Sequence, residues 1–201
     1  MKNRIELVDL FEKNRVFNRG IEIGSYKGEY AKEILNKWNG KLYLLDLWRS
    51  VDDGSYVDET NCKNYNDIMN TCCENIRTFE NRCFMLRANA DDLCNLFPND
   101  YFDFIYIDAN HKYDAVLNDM NKWFPKLRKG GIFAGHDYLK INWLEDPNFS
   151  EDRINKHIFS SGGDYMGLFG VNPAVEEFCS INKYKFLTTE QEWFSSWYFI
   201  K

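Results

Sequence analysis

No stretch of the chain approaches the ~20 consecutive apolar residues of a membrane-spanning helix. The opening MKNRIELVDLFEKNRVF is interrupted by charge every two or three residues, so the apolar centre of a signal peptide is missing as well. The expectation is a soluble, intracellular protein, cytoplasmic in location. Lys and Arg number 25 against 31 Asp and Glu, for a net charge of −6. They are scattered rather than gathered into the basic stripe that tracks a phosphate backbone, which argues against nucleic acid and for a small or neutral partner. The six cysteines, at 62, 72, 73, 83, 94 and 179, include no C-x-x-C pair, and they read as reduced thiols that pack as small hydrophobes. Internal repeats and low-complexity tracts are absent. Histidine is scarce, three in all, yet two of the three fall in one stretch, FDFIYIDANHKYDAVLNDMNKWFPKLRKGGIFAGHDY (102–138), each close to an aspartate.

What is present points to one folded unit. Hydrophobic residues make up 44% and aromatic residues 17% of the 201, enough for one sizeable core but not for two, so a single domain over 1–201 is expected. Helical and strand periods alternate: RIELVDLFEKN (helix), RGIEIG (strand), EYAKEILNKW (helix), KLYLLDLW (strand), NYNDIMNTCCENIRTF (helix), CFMLRA (strand), ADDLCNLF (short helix), FDFIYIDA (strand), YDAVLNDMNKWFPKL (helix) and GGIFAGHDY (strand). Strands separated by such helices predict an α/β fold, a parallel sheet covered on both faces. The end differs: a helix over VNPAVEEFCSIN, then KYKFLTT and SSWYFIK as two strands of an antiparallel hairpin. Residues 49–61 and 139–170 fit no regular element and follow strand C-terminal ends, where open α/β sheets bind ligands, so they are candidate substrate or lid loops.

Four motifs at those strand ends carry chemistry. In IEIGSYKGEY, Glu22 is followed by Gly24, Ser25 and Gly28 and then a helix, a turn that lets backbone approach a ligand closely. Tyr26 replaces the middle glycine of the dinucleotide fingerprint, which argues against an NAD-type oxidoreductase, and the acid suggests a ligand with a positive charge or an amino group. Asp46 in LYLLDLW ends the next strand, 46 − 24 = 22 residues past Gly24, where an acid is placed to accept ribose hydroxyls. Asn89, Ala90 and Asp91 in LRANADDL are placed to meet an adenine edge or to cap the following helix. Asp108 and His111 follow one strand, and His136 and Asp137 end the next. The aspartates suit a hard cation such as Mg²⁺, and adding His136 permits Mn²⁺ or Fe²⁺. A histidine is also the side chain best matched to taking a proton from a hydroxyl near neutral pH. The plainer alternative for all four is polar capping of strand ends.

With these motifs the chain resembles the class I S-adenosylmethionine-dependent methyltransferases, and within them the small group carrying YIDANH-x-Y and GG-x-x-AGHDY. The resemblance runs from GIEIGSYKGEYA through LDLW and the 102–138 stretch to FGVNPAVEEF and WYFIK. It implies a Rossmann-like seven-stranded sheet in the order 3-2-1-4-5-7-6 with strand 7 antiparallel. It implies Glu22 and Gly24 as contacts of the methionine moiety, with Ser25, Gly28 and Asp108 also against the cofactor. Asp46, beside Leu47, becomes the ribose binder, and Asn89 and Ala90 become neighbours of adenine. The similar metal-dependent O-methyltransferases, of catechol and macrolide-sugar type, place a metal-binding aspartate at Asp108, further ligands at 136 and 137, and a base at 111. Histidine at 136 departs from their pattern. The resemblance thus implies O-methylation of a sugar or glycan hydroxyl with Mg²⁺ or Mn²⁺, His111 as base, and a homodimer. Trp48, Tyr56, Trp143 and Tyr165 are offered as surfaces on which a sugar stacks. A catechol-like acceptor, and a binding module without turnover, are the competing readings.

Overall fold

Every residue of FDFIYI is buried, the pattern of a strand covered on both faces. In the computed structural model this strand lies at the centre of a seven-stranded sheet. The structure describes residues 1–13, 17–49, 64–139, 170–190 and 194–201. In chain order the elements are α1 (Ile5–Lys13), β1 (Arg19–Ile23), α2 (Glu29–Lys37), β2 (Lys41–Asp46), α3 (Tyr65–Ile76), β3 (Cys83–Arg87), α4 (Ala90–Cys94), β4 (Phe102–Ile107), α5 (Tyr113–Trp123), β5 (Leu127–Tyr138), α6 (Val171–Asn182), β6 (Leu187–Thr188) and β7 (Ser195–Ile200).

The strands lie in the order β3-β2-β1-β4-β5-β7-β6, as expected. β1 through β5 pair in parallel, and β7 runs antiparallel to both β5 and β6. The terminal hairpin is shorter on one side than KYKFLTT suggests. Lys183 takes a left-handed conformation that ends α6, Tyr184 stacks on Phe199 and Phe186 packs on Tyr138. Those half-buried aromatics pack against the core instead of pairing along an edge, so only Leu187 and Thr188 form β6.

Alternate residues of β4 divide the core. Phe104 and Tyr106 face α1, α2 and α3 with Phe11, Tyr30 and Trp38, while Ile105 and Ile107 face α5 and α6 with Met120, Trp123 and Phe178. α2 shows how the helices are placed: its buried Tyr30, Ala31, Ile34 and Leu35 form one stripe along the helix, the spacing of a surface helix with one apolar face. No helix among the described residues is long and apolar enough to cross a membrane.

α5 carries one acid on its buried side. Asp119 is 7% exposed, and burial, reinforced by Asp91 and only partly offset by Lys122, pushes its carboxyl up from 3.8 to about 7. The folded state therefore keeps a proton that the unfolded chain has released, and stability falls as pH rises through that window and levels above it. Asp119→Asn is expected to be more stable than the parent at pH 8 and equal to it near pH 4. Urea midpoints at the two pH values check this, and an equal margin at both would contradict the shift.

Candidate active site

The parallel strands end along one rim, and the β1–α2 turn is pressed against it. The Gly24 N–H donates to the Leu45 carbonyl at 2.8 Å, and the Asp108 N–H donates to the Ile23 carbonyl at 2.8 Å. Gly24 has φ 88°, and a Cβ there would stand 1.9 Å from the Asp108 carbonyl oxygen, so only glycine allows this approach. Gly28 caps α2 from the left-handed region, and its N–H donates to the Ser25 carbonyl at 2.7 Å. The Ser25 hydroxyl donates to the Glu22 carbonyl at 3.2 Å. Glu22 itself is 3% exposed, and its Oε2 has no hydrogen-bond partner among the described residues. Burial, with the charge of nearby Asp108, pushes its carboxyl up to about 8, against the smaller opposing pull of Ser25 and Arg4.

Asp46 ends β2 inside a closed ring of bonds. One carboxylate oxygen accepts the Tyr26 N–H and the other the Trp48 N–H, both at 2.8 Å. The Trp48 indole N–H donates to the Tyr26 carbonyl, also at 2.8 Å. Burial raises the Asp46 pKa, while these backbone bonds work in the other direction. Tyr26 and Trp48 both have positive φ, a strained choice for aromatic residues that the ring of bonds holds in place. Trp48, 1% exposed, is a core residue and no stacking surface for a sugar, a correction to the expectation above. Trp48→Phe removes the indole donor and is expected to destabilise the protein by about 1–3 kcal/mol, lowering the melting temperature by a few degrees. An unchanged melt would show that the indole bond contributes nothing.

Leu47 follows Asp46, and its carbonyl accepts from Arg87 Nε at 3.2 Å. Asn89 caps α4: its side chain accepts the Asp91 N–H at 2.8 Å, the capping role offered above, and Ala90 is the first residue of that helix.

The charged cluster spans the ends of β4 and β5. His136 and Asp137 sit where the β5–β7 register shifts between Gly135 and Tyr138, and Asp137 has φ 59°. Such an irregularity re-aims side chains that a regular strand would alternate. Asp137 bridges two histidines, with Oδ2 at 2.8 Å from His111 Nε2 and Oδ1 at 3.1 Å from His136 Nδ1. Asp108 lies 3.7 Å from His111 and 3.9 Å from His136. Burial opposes the charged form of His111, but Asp137 and Asp108 outweigh it and push the imidazole up to about 10. His136 is raised against burial by the same two aspartates. Burial would raise Asp137, yet the two histidines hold it well below the usual carboxylate range.

A model of a family described as a methyltransferase domain matches residues 21–138, which span both halves of this rim. The chain belongs to that methyltransferase family. Its fold is that of the class I enzymes, and solved methyltransferases share it at low identity. A provisionally assigned caffeoyl-CoA O-methyltransferase of Staphylococcus aureus superposes with a TM-score of 0.66 at 13% identity, over 98% of this chain and 82% of that one. An O-methyltransferase family protein of Burkholderia thailandensis gives 0.67 at 12%, over 98% and 55%. The Bacillus cereus O-methyltransferase solved in complex with SAH gives 0.62 at 14%, over 98% and 80%. In sequence, an uncharacterized protein of Acanthamoeba polyphaga mimivirus is 37% identical over 41 residues, 20% of this chain, and the matched region is 19% of that relative's length.

In this methyltransferase domain the donor atoms of Asp108, His111 and Asp137 all lie within 4.8 Å of one another. Two carboxylates and an imidazole fit Mn²⁺ or Mg²⁺ in type, so these residues suit the implied cation. The grouping brings in His111, which the sequence reading assigned to proton transfer, in place of His136. Arg4 is the member that sequence reading missed. Its guanidinium stands 3.7 Å from Asp108 Oδ2, and nothing in MKNRIEL marks it as different from its charged neighbours. Of the loops 49–61 and 139–170 only Arg49, Leu139 and Gly170 are described; the rest, with Tyr56, Trp143 and Tyr165, lie outside the described residues. The Asn172 side chain bonds both the N–H and the carbonyl of Leu139, at 2.8 and 2.5 Å, which ties the start of α6 to the end of β5.

Proposed function

We propose that this chain transfers the methyl group of S-adenosylmethionine to a hydroxyl of a sugar or glycan, with His111 as the base. The observation that carries the reading is the buried, unpartnered Glu22 Oε2 on the same rim as the Asp108, His111 and Asp137 group. A buried acceptor without a donor is costly alone, and the ammonium of a methionine moiety would satisfy it. Gly24 keeps that approach clear of side chains, with Ser25 and Gly28 shaping the turn. The Asp46 oxygens, which accept the Tyr26 and Trp48 N–H groups, have further lone-pair capacity for a ribose hydroxyl, and Leu47, Asn89 and Ala90 would be the neighbours of adenine.

S-adenosylmethionine supplies a methyl already activated on sulfonium, so the protein has mainly to hold the acceptor oxygen in line and remove its proton. The oxygen forms the new bond to carbon as the carbon–sulfur bond breaks, and the hydroxyl proton passes to His111. In the unliganded site the ring already holds a proton, because Asp108 and Asp137 face it. To act as the base the ring must first release that proton to solvent, which an acceptor hydroxyl engaging those carboxylates would favour by weakening their pull on it. With His111 kept as the base, Asp108 and Asp137 are the residues that would hold a divalent cation, and His136, 3.1 Å from Asp137, is the histidine that could join them; the cation would lower the pKa of a chelated hydroxyl. The saccharide preference rests on the resemblance around DANH. The five described cysteines are free, which supports a reducing, cytoplasmic location.

The test is calorimetric titration with S-adenosylhomocysteine, then transfer of labelled methyl from S-adenosylmethionine to panels of saccharides and catechols, with and without EDTA. A silent titration favours a binding module. Label on catechols alone replaces the acceptor class, and activity indifferent to exhaustive EDTA removes the aspartates from a metal role.

A further inference from the structure

We infer that Arg4 is a positioning residue of the acceptor site, a resident cation that orients Asp108 and with which any divalent ion must compete; this rests on reading Asp108 and Asp137 as able to hold such an ion. Arg4 precedes α1, roughly a hundred residues from Asp108 in sequence, yet its Nη1 lies 3.7 Å from Asp108 Oδ2. The residue is gripped at two points by Tyr30, whose ring lies under the guanidinium at 4.7 Å and whose hydroxyl donates to the Arg4 carbonyl at 3.0 Å. Tyr106, itself bonded to Ser196 at 2.8 Å, is a further partner. The Glu190 N–H donates to the Met1 carbonyl at 3.0 Å, so the segment leading to Arg4 is also fastened beyond β6. The guanidinium is therefore held in place against the carboxylate.

The consequence is electrostatic. Arginine keeps its charge at every working pH, so Asp108 is never an uncompensated anion. A fixed unit charge this close to a ligand carboxylate opposes a divalent ion, and bulk salt screens it little in a partly buried site. Replacing the guanidinium with a neutral side chain should tighten Mn²⁺ by roughly tenfold or more, a change opposite to what loss of a merely structural residue would cause.

The experiment is Mn²⁺ titration, read from the free-ion electron paramagnetic resonance signal, on the full chain and on Arg4→Met, Arg4→Gln, Arg4→Lys and Asp108→Asn, each checked by thermal melting. Tighter Mn²⁺ in the two neutral variants, with Arg4→Lys close to the parent, supports the inference, and Arg4→Gln decides alone if Arg4→Met does not fold. Equal or weaker binding in the neutral variants, with binding lost in Asp108→Asn, overturns the role of Arg4 and leaves the metal reading standing. If no protein binds Mn²⁺, both fall.

Discussion

In the His111→Ala protein, methyl transfer to a hydroxyl acceptor is expected to fall by roughly 10²–10⁴-fold, the usual contribution of a positioned base, with binding of S-adenosylhomocysteine retained. The split follows from where the residue sits. Its partners Asp108 and Asp137 end β4 and β5, whereas Glu22 and Asp46 belong to β1 and β2, so the proposed base and the proposed cofactor contacts occupy separate parts of one rim. His111→Gln separates proton transfer from orientation. Glutamine can still donate to Asp137 but cannot take up a proton, so an equal loss in both variants marks a base, and recovery in the glutamine variant marks an orienting residue. Full turnover in His111→Ala would remove the residue from the mechanism.

Gly24→Ala should do more damage, and to the fold as well as to binding. The new Cβ would meet the Asp108 carbonyl oxygen at 1.9 Å, its carbon at 2.5 Å and Ala109 Cα at 2.8 Å. All three are backbone atoms, so no side chain can swing aside, and the residue would also be held at φ 88°. Relief requires the end of β4 to move, taking Asp108 with it. A loss on the order of 3–5 kcal/mol is expected, roughly 10 °C or more in melting temperature for a chain of this length, with binding of S-adenosylhomocysteine abolished. Gly130→Ala is the internal control: its φ is also positive, at 77°, but a Cβ there meets nothing within 4 Å, so only the backbone strain of about 1–2 kcal/mol applies. If the two variants melt alike, the turn is not pressed on β4 as described.

Much of the sheet was legible because hydrophobic period is a local property. The run FDFIYI reads as a strand buried on both faces, and it is one. Glu22, Asp46, Asp108 and Asp137 could be picked out together because parallel strands all deliver their C-terminal ends to one rim. The strand order came from family resemblance rather than from spacing. The short β6 was not legible: KYKFLTT alternates well enough for a strand, but Tyr184 and Phe186 find aromatic partners at the edge of the core that the local pattern cannot reveal. Trp48 looked available for stacking from its position after a strand end, and burial made it a brace for Asp46 instead.

Sequence alone determined which elements form and which polar residues finish them, since both depend on neighbours within a few positions. Only the tertiary structure decided which charges meet. A register shift at Gly135–Tyr138 turns Asp137 toward His111, and the path of the first four residues across the rim brings Arg4 to Asp108. Those contacts join residues from about 25 to 100 positions apart, and their balance of charge depends on distance and burial, which spacing along the chain does not encode.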